Sequence, residues 1–180
     1  MARVLIVAGG CRGRGLAEAL LGEGHAVRIT TRSEKGRAAI EAAGAECWVG
    51  TPDRLATLRG ALENVTILCW MLATATGSAE ELEALHGPRL EFFMTQAIDT
   101  TVRGVVYEAG SAGSTAPGAG RAAGARTASA SALPAGGEAI VHALAERNSI
   151  PVAFLAADPH DREAWLAEAL AAVASLLSRA

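Results

Sequence analysis

A chain of 180 residues is long enough to bury a full core and too short for two ordinary domains. Hydrophobic residues make up 51% and charged residues 19%, which excludes a disordered chain, and the net charge of −3 argues against a general nucleic-acid binder, since phosphate neutralisation needs a basic surface. The longest apolar run, Val65 to Ala73, falls short of a bilayer span, and three cysteines without paired spacing (Cys11, Cys47 and Cys69) suggest neither a disulfide frame nor a zinc site. The chain reads as cytoplasmic, with no membrane partner, and its opening MARVLIVAGG fits a first buried strand better than a signal peptide.

From the amino terminus, Arg3 to Val7 is a continuous apolar run, the pattern of a strand covered on both faces. Leu16, Ala17, Leu20 and Leu21 recur at helical spacing until Gly22 and Gly24 stop them. Val27 to Thr31 predicts a second strand, Glu34 to Ala43 a helix closed by Gly44, and Glu46 to Val49 a short third strand. Thr51 as cap and Pro52 at the first helical position predict a further helix, with Leu55, Leu58 and Leu62 as its buried stripe. Val65 to Leu72 reads as the fourth strand. Ser78 and Glu81 have the spacing of a capping box, and Gly87-Pro88 separates that short helix from a second one carrying Leu90, Phe93, Met94, Ala97 and Ile98 on one face. Gly104 to Glu108 predicts the fifth strand, Glu138 to Arg147 a helix, and Ile150 to Ala156 the sixth strand. The last helix is expected to start at Asp158-Pro159 and to bury Leu166, Leu170, Val173 and Leu177.

Strands alternating with helices predict an α/β domain over residues 1–180 with no separate substrate domain. Its sheet is a doubly wound parallel one of about six strands, in the order 3-2-1-4-5-6, with helices on both faces. Ligands in that architecture bind at the carboxyl ends of the strands, near the switch between the first and the fourth. Ser111 to Leu133 breaks the pattern, being almost entirely Gly, Ala, Ser, Thr and Arg. It reads as a flexible low-complexity loop, either a surface excursion or a lid over a substrate.

The strongest motif is Ala8-Gly9-Gly10-Cys11-Arg12-Gly13, placed between the first strand and the first helix. It matches G-x-G-x-x-G with Ala8 in the first glycine's place. Gly10 would let the backbone approach a pyrophosphate, Gly13 would let the helix pack closely on the strand, and the helix amino terminus would offer N–H groups to the phosphates. Gly9, Gly10, Cys11, Arg12 and Gly13 are therefore the expected phosphate loop of a Rossmann-type dinucleotide site. Cofactor choice is read at the end of the second strand, where an NAD site places an acid. Here the chain reads Thr31-Arg32-Ser33, with no acid. Arg32 can pair with a 2′-phosphate, helped by the hydroxyls of Thr31 or Ser33 and by Arg12, so NADP(H) is expected in preference to NADH.

VLIVAGGCRGRGLAEALLGEGHAVRITTRS resembles the opening of atypical short-chain dehydrogenase/reductases, the group that includes NmrA-like and epimerase-like proteins. The resemblance is specific in the first third and diffuse beyond it. It implies an adenine beside the ends of the third and fourth strands, near Thr51, Leu72 and Ala73. Gly50-Thr51 stands where the group often carries an acid. Typical members also carry a Tyr-x-x-x-Lys pair after the fifth strand. This chain has one tyrosine, Tyr107, within the fifth strand, and one lysine, Lys35, after the second. It resembles a truncated member, little more than the nucleotide-binding core, and no catalytic residue is assigned.

Glu108, Ser111, Asp158 and His160 fall at or after the ends of the last two strands, with Asp158 better read as a helix cap, His160 as a surface residue and Glu108 as an edge or loop carboxylate. Cys11 is read as a small loop residue. Two readings stay open. One is an NADP-dependent oxidoreductase without the usual proton donor, passing hydride to a small molecule, a flavin or a quinone. The other is a non-catalytic NADP(H)-sensing module that acts through a protein partner.

Overall fold

Val4, Leu5, Ile6 and Val7 of the first strand, β1 (Arg3–Val7), are all fully buried. Successive side chains leave a strand on opposite faces, so this one run feeds two cores: Val4 and Ile6 join one cluster, Leu5 and Val7 the other. A fully buried aliphatic side chain contributes roughly 1.5–3 kcal/mol, which favours placing such a run at the centre of a sheet. The computed structural model describes residues 1–7, 10–109 and 127–179. In it, β1 lies between β2 (Ala26–Thr31) and β4 (Ile67–Trp70). With β3 (Glu46–Val49), β5 (Gly104–Glu108) and β6 (Val152–Leu155), the sheet runs β3-β2-β1-β4-β5-β6. Every neighbouring pair is parallel, as the alternation of elements predicts.

One face is covered by α1 (Cys11–Gly22), α2 (Arg37–Ala42) and α6 (Arg162–Leu177), which bury Leu16, Leu20, Ile40, Trp165 and Val173 against Ile6, Ile29 and Cys69. The other face carries α3 (Ala79–His86), α4 (Pro88–Ile98) and α5 (Thr127–Arg147). There Leu90, Phe93, Met94 and Val141 pack on Leu5, Leu68, Trp70 and Tyr107. Arg28 interrupts the apolar β2 and is nonetheless buried, because Glu46 at 2.9 Å and the carbonyls of Ala61 and Glu63 take its two terminal nitrogens while the Trp48 ring lies 5.3 Å beneath it. No helix among the described residues is long and apolar enough to cross a membrane.

Four sequence expectations need correction. Thr51-Pro52 does not begin an α-helix. Thr51 pairs with Arg54 in a tight turn, followed by two short 3-10 segments, Leu55–Thr57 and Arg59–Leu62, with Leu58 buried between them and Leu62 buried at the end of the second. A 3-10 turn also buries residues three or four apart, so the leucine spacing did not distinguish the two. The predicted helix from Glu34 is a 3-10 turn, Glu34–Gly36, followed by the short α2. The helix expected from Glu138 already runs from Thr127, so 127–133 of the predicted loop is helical, while 110–126 lies outside the described residues. Asp161, not Asp158, caps α6, accepting the Ala164 N–H at 3.1 Å. That start turns Trp165, Ala169, Val173 and Leu176 inward and leaves Leu166, Leu170 and Leu177 half-buried at the margin. Asp158 instead accepts the N–H of the nearby His160.

Gly137 is where α5 comes closest to the sheet. A Cβ there would collide with the Tyr107 hydroxyl and lie 2.9 Å from the His86 carbonyl oxygen. Gly137→Ala is therefore expected to lower stability by about 1–3 kcal/mol despite alanine's better helix propensity. Urea denaturation measures this, and a stability equal to or above wild type would show that α5 can shift to make room.

Candidate functional site

The carboxyl ends of the first four strands open into one cavity of about 510 Å³, at the point where strand order reverses. Gly10, Cys11, Arg12 and Gly13 supply its floor from the start of α1. The end of β2 contributes Thr30, Thr31 and Arg32, and the turn after β3 contributes Gly50 to Asp53. Met71, Leu72 and Thr74 to Thr76, following β4, form the facing wall with Glu81, Leu82 and Leu85 of α3.

Gly10 is the N-cap of α1, at φ −69° and ψ 176°, a conformation open to any residue. A Cβ built on it meets nothing within 4 Å. Neither backbone strain nor packing within the protein requires glycine there; what its missing side chain leaves is open space before a helix end. No side chain caps that end and no acidic residue lies in its first turn, so its N–H groups and partial positive charge face the cavity. The arrangement fits a phosphate group. Gly13 is buried one turn on, and Gly9 lies outside the described residues.

Arg32 is exposed on the cavity wall and has no hydrogen bond or ion pair among the described residues. Thr31 lines the same wall, its hydroxyl donating to the Ser33 carbonyl at 3.3 Å. Ser33 itself is not part of the wall. Thr51 is, as expected, and its hydroxyl donates to Asp53 Oδ2 at 3.1 Å. Asp53 is thus an acid beside the predicted adenine end that motif reading missed, displaced by the turn from the strand end where such an acid was sought. Arg89 at the start of α4 holds it at 2.7 Å.

Arg12 needs correction. Its guanidinium turns away from β2 and toward β5, the opposite side of β1, so it is not placed to assist Arg32. Nη2 lies 2.9 Å from Glu108 Oε1 and donates to Thr74 Oγ1 at 2.9 Å, Nη1 donates to the Pro159 carbonyl at 3.2 Å, and the group stacks 5.1 Å above the Trp165 ring. Glu108 is no edge carboxylate: it is wholly buried at the end of β5. Trp165 Nε1–H donates to its Oε1 at 2.8 Å and the Ala73 N–H to its Oε2 at 2.8 Å. Burial raises its pKa above the ordinary carboxylate value, against the opposing pull of Arg12 and of those two donors. Ala73 consequently spends its N–H on Glu108, while its neighbour Leu72 lines the cavity. The signal for this cluster was in the sequence, since a charge ending the apolar run GVVYE has to find a partner. Which partner could not be read, because Arg12 is 96 positions away.

Behind the Leu72 wall, Tyr107 and His86 form a second buried pair, with the hydroxyl 2.8 Å from Nδ1. Burial lowers the His86 pKa, and a hydrogen bond with the Leu72 backbone works in the other direction. Tyr107 is therefore committed within the core, and Lys35 sits in the turn after β2, so the structure does not bring the two together.

No family model matches the chain, and no curated protein does. Solved structures do. Pen from Bacillus thuringiensis aligns with a TM-score of 0.66 and 20% identity, over 85% of this chain and 49% of that one. A short-chain dehydrogenase/reductase superfamily protein from Agrobacterium tumefaciens with bound NAD gives 0.64 and 17%, over 84% and 48%. The triphenylmethane reductase of Citrobacter sp., complexed with NADP(H), gives 0.60 and 16%, over 86% and 48%. The chain thus has the fold of these proteins and spans about half their length.

His86 gives this region a pH signature. Because its native pKa lies below the 6.5 of the unfolded chain, unfolding takes up a proton as pH falls, and stability drops on acidification below about 6.5. His86→Gln, which can still accept from Tyr107, should lose this part of the acid sensitivity. Chemical denaturation between pH 7.5 and 5 tests it, and identical slopes in the two proteins would refute the assignment.

Proposed function

We propose that this chain is an NADP(H)-binding Rossmann domain of the short-chain dehydrogenase/reductase type. The observation that carries the reading is the open space before Gly10, facing an uncapped helix end and bounded on one side by the unpartnered Arg32. Gly10, Cys11 and Gly13 would take the pyrophosphate on backbone N–H groups, Arg32 and Thr31 the 2′-phosphate, and Thr51, Asp53 and Leu72 the adenine end. The nicotinamide, once bound, supplies hydride transfer. Solved neighbours of the fold with NADP(H) and with NAD support a nicotinamide dinucleotide in general, and Arg32 in place of a strand-end acid supports the phosphorylated one.

Two uses of that nucleotide are compatible with the site. As an oxidoreductase lacking the Tyr-x-x-x-Lys pair, the protein would pass hydride to an acceptor, such as a flavin or quinone, that needs no protein proton donor. A sensing module that contacts a partner protein is the second use. It is favoured by one observation: two acid–base groups of β5 are already committed, Glu108 to Arg12 and Tyr107 to His86.

Titration with NADPH and NADH tests the cofactor. NADPH is expected to bind more tightly, and Arg32→Ala to remove most of the difference, on the order of 1.5–3 kcal/mol for a hydrogen bond to a charged group. Equal affinities in the wild-type protein would overturn the 2′-phosphate assignment. Gly10→Val should fold normally, since its Cβ meets no protein atom, and should lose nucleotide binding. A folded variant with wild-type affinity would remove the loop from the site.

A further inference from the structure

In a doubly wound sheet the two mononucleotide halves of a dinucleotide occupy the two halves of the sheet, across the crevice at the switch point. The cavity of this protein is unequal in that respect. Its described lining comes from the ends of β1 to β4, from the start of α1 and from α3, and no described residue of β5, β6 or the turn into α6 contributes. Arg12 stands at that boundary. The guanidinium reaches from the phosphate loop to Thr74 after β4, Glu108 at the end of β5 and the Pro159 carbonyl after β6, with Trp165 beneath it. Its side chain is 16% exposed and that of Glu108 is not exposed at all.

The bridge is not a loose surface pair. Releasing Arg12 would leave a carboxylate with no access to water and only two N–H donors, a costly state for a charge. Both sides of the contact therefore hold Arg12 where it is, across the path from the phosphate loop to the ends of β5 and β6.

We infer that the Arg12–Glu108 bridge is a specificity determinant that sets how much of a nucleotide the site takes. With the bridge closed, the cavity holds the adenosine 2′,5′-bisphosphate half, and the nicotinamide half gains a seat only when Arg12 leaves Glu108. The inference rests on the nucleotide reading of the Gly10 and Arg32 cavity and adds to it which half is recognised.

Calorimetric titration of the full chain with adenosine 2′,5′-bisphosphate and with NADPH separates the two ideas. The wild-type protein should bind them within about threefold of each other, because the nicotinamide half adds no net contact. Arg12→Met/Glu108→Gln, which leaves no buried charge unpaired, should shift the ratio of affinities toward NADPH by about tenfold or more, equivalent to roughly 1.4 kcal/mol. NADPH binding more than about tenfold tighter than the bisphosphate in the wild type would overturn the inference while leaving the nucleotide reading intact, and needs no variant to fold. An unchanged ratio in a folded double variant would also overturn it. Binding of neither ligand to the wild type would remove the nucleotide reading and this inference together.

Discussion

A carboxylate cut off from water must be answered by charge and by hydrogen bonds from the protein, and at the end of β5 that requirement falls on Glu108. The three groups that meet it come from three distant parts of the chain. Arg12 belongs to the first turn of α1, Ala73 follows β4, and Trp165 lies in the first turn of α6. Satisfying one buried charge thereby fixes the start of α1, the chain after β4 and the start of the last helix relative to one another. The Pro159 carbonyl, held by the same guanidinium, adds the turn after β6. The edge of the sheet on which a ligand would rest is thus tied together by a single side chain.

The two arginines near the cavity have divided roles because β1 separates their partners. Arg32, on the β2 side, has nothing within the described protein to neutralise it, and is available to an anion. Arg12, on the β5 side, is neutralised by Glu108 and serves as wall. The electrostatics of the cavity are therefore lopsided, with available positive charge at Arg32 and at the uncapped start of α1.

The fold was legible because a strand covered on both faces has to be apolar throughout. Arg3–Val7 and Gly104–Glu108 could each be bounded from the sequence by that demand, and the parallel order followed from the alternation of strands with helices. Helix starts were harder to read. Thr51-Pro52 and Asp158-Pro159 both have the chemistry of a cap, yet each belongs to a turn, because threonine and aspartate side chains accept backbone N–H groups as readily in turns as in helices. In α6, apolar residues occupy most of the surface, so sequence periodicity could not say that Trp165 rather than Leu166 faces inward. Among the residues that line the cavity, Gly10, Thr31 and Arg32 were legible from short-range motif rules and Thr51 and Leu72 only from the resemblance. The reach of Arg12 and the partner of Tyr107 were not, since a long side chain chooses among neighbours that only the tertiary fold assembles.

The two cores on either side of β1 have a consequence for how the molecule breathes. β1 is paired with β2 on one side and β4 on the other, and the side chains of Val4 to Val7 are locked alternately into the layer of α1 and α6 and the layer of α4 and α5. Detaching the helices of one layer leaves the other still gripping the strand, so no partial opening exposes it fully. Deuterium should enter β1 and β4 only through complete unfolding, while β3 and β6 at the two margins exchange through local opening. Gly10 and the start of α1 lie beside the carboxyl end of β1, so a ligand resting there would sit next to the strand expected to open last.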